Sequence, residues 1–76
     1  KNKSGKFTVT VEDDVYFVEA DWLLKILQRT DLDDYESLQY FQRVLHSSGI
    51  IDALVEKGIQ EGDTVSIYDL EFDYVP

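Results

Sequence analysis

Two segments near the start of the chain alternate apolar and polar residues. In "FTVTVE", Phe7, Val9 and Val11 point one way and Thr8, Thr10 and Glu12 the other. That period of two predicts a strand with one buried face. Asp13-Asp14 interrupts, and "VYFVE" resumes the pattern. A two-residue turn at the aspartates pairs Val11 with Tyr16 and Val9 with Val18, and all four then share one face. Turn length and apolar pattern thus agree on register.

From "ADWLLKILQRT" the period changes. Trp22, Leu23, Ile26 and Leu27 recur at helical spacing, and Asp21 is placed to cap the first free amides. "DLDDYE" leads into "SLQYFQRVLHSSG", where Asp33 and Glu36 have the spacing of a capping box. Leu38, Phe41, Val44 and Leu45 form one face of this second helix; Glu36, Gln39, Arg43 and His46 share the opposite one. Gly49 stands where a helix commonly ends in a left-handed residue. A third short helix, "IIDALVEKG", stops at Gly58 in the same manner.

Two more strands close the chain. Val65 and Ile67 alternate in "TVSIY", as do Phe72 and Tyr74 in "EFDYV". A loop at Asp69-Leu70 pairs Ile67 with Phe72 and Val65 with Tyr74. The order ββαααββ, without internal repeats, predicts an α+β fold: a four-stranded, mainly antiparallel sheet with helices packed on one face. Before the turn into the third strand, "EGDTV" calls for Gly62 in a backbone conformation other residues resist and for a local hydrogen bond from Asp63.

Composition narrows the picture. The chain has 76 residues, 43% hydrophobic and 13% aromatic, a globular composition in a domain small enough that most apolar side chains must serve one core. The polar "KNKSGK" at residues 1–6 reads as a linker or a remnant of cloning, leaving residues 7–76 as the domain. No run of eighteen apolar residues and no cleavable leader occurs, so a soluble, cytoplasmic chain is expected. With no cysteine, disulfides, thiolate zinc sites and a cysteine nucleophile are excluded.

Seven Lys and Arg face sixteen Asp and Glu. From Phe7 onward four basic residues face the same sixteen acids, a balance of −12. Such a surface repels phosphate backbones and anionic membranes, so neither nucleic acid nor membrane is an expected partner. Electrostatics favours a basic protein surface, although acidity also serves solubility alone.

Catalytic patterns are thin. His46 is the one histidine, and Ser47 and Ser48 follow it directly; residues one and two apart on a helix do not face each other, so no Ser–His pair forms. Against a calcium loop beginning at Asp31, Tyr35, Glu36 and Gln42 stand where a ligand, the turn glycine and the bidentate glutamate belong. Helix-capping aspartates are the plainer reading. No nucleotide-binding loop occurs: "SGKF" lacks the upstream glycine, and "EGDTV" offers carboxylates where phosphate needs cations. Sixteen acids guarantee that some pair lies close, so paired carboxylates carry no catalytic argument. No catalytic, cofactor or metal residue is therefore assigned. Tyr35, Tyr40 and Tyr68 fall at or beyond the edges of the apolar stripes; with Arg43 and His46 they make up the expected partner surface. Rings in such places also pack at a core rim with their hydroxyls in water.

The ordered set of "YFQRVL", the Gly49 stop, "ALVEKG", "EGDTV" and a final "EFDY" resembles the C-terminal domain of the Obg GTPases, bacterial ribosome-associated G proteins. The resemblance covers residues 7–75. Three positions depart from it: the family often has Gly where Ala20 sits, a basic residue where His46 sits, and a small residue where Tyr68 sits. The resemblance implies a parent protein with a glycine-rich N-terminal domain and a central G domain that hydrolyses GTP with magnesium. That parent acts in ribosome assembly and in stress or cell-cycle control. GTP and magnesium would belong to the G domain, whose motifs are missing from this sequence, so this domain is expected to bind no cofactor. Its expected role is regulatory or docking, toward its own G domain, ribosomal proteins or signalling proteins. The alternative is a cation- or small-molecule-sensing domain using the acidic loops at residues 31–36 and 61–63.

Overall fold

Asp13 and Asp14 both adopt positive φ, 51° and 66°, the conformation that a two-residue hairpin turn of matching twist requires. They join strand β1 (Thr8–Glu12) to β2 (Val15–Glu19). Val11 lies opposite Tyr16 and Val9 opposite Val18, as the alternation predicts. Helices α1 (Asp21–Arg29), α2 (Tyr35–Ser47) and α3 (Ile50–Glu56) follow, then β3 (Thr64–Ile67) and β4 (Leu70–Asp73). This computed structural model describes residues 6–75. The linker reading of residues 1–5 lies outside them; the Lys6 carbonyl accepts a hydrogen bond from the Trp22 indole at 3.0 Å.

The sheet order is β1-β2-β3-β4. Both hairpins are antiparallel, while β2 and β3 run parallel because the three helices return the chain to the same end of the sheet. Tyr16, Val18, Val65 and Ile67 are buried on one face of this mixed sheet. Leu23 of α1, Phe41 and Leu45 of α2, and Ile50 and Leu54 of α3 join them in a single cluster. All the helices therefore cover the same face. Trp22, Ile26, Leu27, Phe72 and Tyr74 pack around that cluster half-buried. Val11, on the core side but beside the hairpin turn, stays 44% exposed.

Three expectations are corrected. In the second hairpin Ile67 pairs with Leu70 and Val65 with Phe72, so the loop is Tyr68-Asp69 rather than Asp69-Leu70. The slip is of two residues, which preserves parity, so the same side chains still face the core. Beyond β4, the Tyr74 amide donates to the Asp63 carbonyl at 2.8 Å and the Gly62 amide to the Tyr74 carbonyl at 3.0 Å. The second correction is at α1, which is capped by the backbone of Ala20; Asp21 is instead its first residue. A carboxylate in that position still favours the positive end of the helix dipole. The third correction is at α2, whose cap is Asp34 rather than Asp33: its side chain accepts from the Ser37 amide at 3.2 Å and from the Ser37 hydroxyl at 2.9 Å. The predicted three-residue spacing survives, moved one position along.

The glycine expectations hold. Gly49 (φ 90°) ends α2 and caps α3, and Gly62 turns the chain into β3 at φ 94°. Asp63 supports that turn by accepting from the Gln60 amide at 3.0 Å.

Candidate functional site: the exposed side of helix α2

The loop before α2 holds the most concentrated acids of the chain, and each observed contact there is structural. Asp31 accepts from the Asp33 amide at 3.0 Å, closing a side-chain turn, and Asp34 caps the helix. Among the described residues no group of three or more His, Asp or Glu side chains is placed to hold a metal ion.

Past Glu36 the character changes. The fifteen residues from Ser37 to Ile51 contain no acid, in a chain with sixteen acids among 76 residues. Phe41 and Leu45 turn inward and are fully buried. The other side of α2 presents Tyr35 (72% exposed), Tyr40 (56% exposed), Arg43 and His46, with Glu36 as its one acid, in the first turn. Tyr40, Arg43 and His46 line one shallow depression together with Val44 and Ser47. Around the helix, Tyr35 and His46 border a groove of about 530 Å³ between α2 and the edge strand β4, with Leu38, Ile51, Phe72 and Tyr74 in its walls. Four of the five expected surface residues thus lie on one helix.

Tyr68 does not join them. It occupies the β3–β4 turn with φ 57°, a conformation that is strained for a bulky side chain. Its hydroxyl accepts a hydrogen bond from the Ala20 amide at 2.7 Å, across 48 residues of sequence. That amide opens α1 and has no partner within the helix. The half-buried ring packs against the core. Tyr68 is therefore a tie between the sheet and the start of α1.

A family model described as a domain of unknown function, DUF1967, matches residues 7–74. The chain belongs to the DUF1967 family. Its similarity to Obg proteins is extensive. The GTPase Obg of Ruminiclostridium cellulolyticum is 60% identical over 68 residues, covering 90% of this chain and 16% of that protein. That of Acetivibrio thermocellus is 50% identical over the same coverage, and that of Alkaliphilus metalliredigens 49% identical over 71 residues, 93% of this chain and 17% of the relative. This DUF1967 domain thus spans about one sixth of the length of the curated relatives it matches. The resemblance to the Obg C-terminal domain is shown, and the motifs that suggested it all fall inside the matched span. No helix among the described residues is long and apolar enough to cross a membrane.

The acid-free stretch on α2 was readable without coordinates, because a gap of fifteen residues in so acidic a chain is a compositional signal. The tie from Tyr68 to Ala20 was not: no periodicity links two residues 48 positions apart.

Proposed function

We propose that this DUF1967 domain is a non-catalytic regulatory or docking domain of an Obg-type GTP-binding protein. That protein acts in the cytoplasm, in ribosome assembly and in stress or cell-cycle control. The observation that carries the docking reading is the acid-free stretch at residues 37–51, whose Tyr40, Arg43 and His46 lie exposed on one side of α2 beyond Glu36. Exposed on a rigid helix, tyrosine offers large contact area at little ordering cost, and arginine a fixed fork of hydrogen-bond donors. The acidic remainder of the surface keeps nucleic acid away and steers basic protein surfaces inward. The similarity to proteins named GTPase Obg, confined to one sixth of their length, supports a role beside a separate GTP-binding unit. The cation-sensing alternative finds no supporting geometry among the described residues.

Amide spectra of the isotope-labelled chain test this reading. Adding an isolated Obg G domain, or large ribosomal subunits, is expected to shift or broaden the amides of α2. Magnesium, calcium and guanine nucleotides are expected to leave the spectrum unchanged. Saturable shifts confined to residues 31–36 or 61–63 on adding a cation would overturn the proposal. So would silence toward both macromolecules at low salt, where charge attraction is least screened.

A further inference from the structure

Among the described residues no helix lies over the second face of the sheet. The register places Thr8, Thr10 and Glu12 of β1, Val15, Phe17 and Glu19 of β2, Thr64 and Ser66 of β3, and Glu71 and Asp73 of β4 on this side. Phe17 stands between Thr10 and Ser66, and Val15 between Glu12 and Thr64. Both apolar side chains are half-buried and neither belongs to the core or packs against it. Glu12, Glu19, Glu71 and Asp73 are exposed around them; none of the strand residues on this face is Lys, Arg or His, and among the described residues Lys6 borders its corner beside Thr8 and Glu19. Neighbouring strands lie ~4.8 Å apart and alternate residues along a strand ~6.8 Å apart, so Glu19 and Glu12 stand ~7–8 Å from Phe17 and Glu71 and Asp73 ~10–12 Å, distances that several side chains of one segment crossing the face would span together.

An apolar strip framed by carboxylates is matched by one kind of side chain. Lysine and arginine lay an alkyl stem on apolar surface while the charged head stays at the rim, and a guanidinium also stacks on an aromatic face. A second copy meeting the same face would set its four carboxylates against these four, a repulsive arrangement. Nucleic acid and anionic lipid are repelled likewise.

We infer that the outer sheet face, centred on Phe17 and Val15, is a docking surface for a Lys/Arg-rich protein segment, distinct from the α2 surface. This rests on the reading of the chain as a docking domain and adds a second contact of defined chemistry.

The test uses deca-arginine as the probe and decaglutamate as its control, on the isotope-labelled chain. Saturable shifts are expected along the four strands, with affinity falling about tenfold or more between low and high salt as screening grows. Decaglutamate is expected to shift nothing. Phe17→Thr keeps a residue suited to a strand and is expected to weaken binding about tenfold by removing the ring beneath the stems. The double variant Glu71→Gln, Asp73→Asn is expected to weaken binding while leaving the melting temperature unchanged. Shifts spread equally over residues 31–36 and 61–63, affinity indifferent to Phe17→Thr, or peptide-free self-association through the strands would each overturn the inference. A G domain that shifts only α2, with deca-arginine shifting nothing, sinks this inference alone. Silence toward both ligands sinks the docking reading as well.

Discussion

The two faces of the sheet are built from the same strands and have opposite fates. On the inner face Tyr16, Val18, Val65 and Ile67 are buried beneath three helices. On the outer face Phe17 and Val15 sit among threonines and carboxylates with nothing packed against them from the core. Alternation along a strand gives each residue one face or the other, so β2 spends apolar residues on both. A domain of this size needs nearly all its apolar side chains for one core. An aromatic ring on the uncovered side adds cross-strand contacts to the sheet but nothing to the core, and its outer surface is open to a partner.

The largest expected difference between the faces comes from their aromatic residues. Phe41→Ala, at the centre of the core, is expected to cost about 3–5 kcal/mol and leave much of the chain unfolded in a denaturant titration. Next is the rim of the inner face. Tyr68→Phe keeps the ring but removes the acceptor at 2.7 Å from the Ala20 amide, with an expected loss of about 1 kcal/mol by thermal melting. No measurable loss would show that the Ala20 amide finds another partner and that the bond ties nothing. On the outer face Phe17→Thr is expected to cost less than about 1 kcal/mol, the scale of cross-strand side-chain pairs. The smallest effect belongs to the turn, which serves both faces equally. Replacing Asp13-Asp14 by Asn-Gly relieves two positive-φ aspartates and is expected to raise stability by about 0.5 kcal/mol.

The same contrast explains what was legible in the sequence. The first hairpin could be read to the residue, because its turn length and its apolar parity impose the same register. The second could not. A shift of two residues keeps Val65, Ile67 and Phe72 on the core side, so the pattern alone does not separate Asp69-Leu70 from the true Tyr68-Asp69 loop. Capping was read one residue early at α2 and one late at α1, since adjacent aspartates offer equivalent caps and Ala20 caps with its backbone alone. Of the expected partner surface, Tyr35, Tyr40, Arg43 and His46 lie together on α2, as helical spacing brings them. Tyr68 lies apart from them in the β3–β4 turn, where its hydroxyl bonds the start of α1 and its ring packs against the core.

The central claim is that the inner face holds the domain together and the outer face is free to bind. One paired measurement on Phe17→Thr tests it most directly: affinity for deca-arginine and melting temperature, taken on the same sample. Phe17→Thr is expected to keep the melting temperature within about 8 °C of the unaltered chain, as a change below ~1 kcal/mol implies for a domain this small, while weakening affinity about tenfold. A melting temperature that collapses as for Phe41→Ala, with the peptide bound as tightly as before, would contradict it.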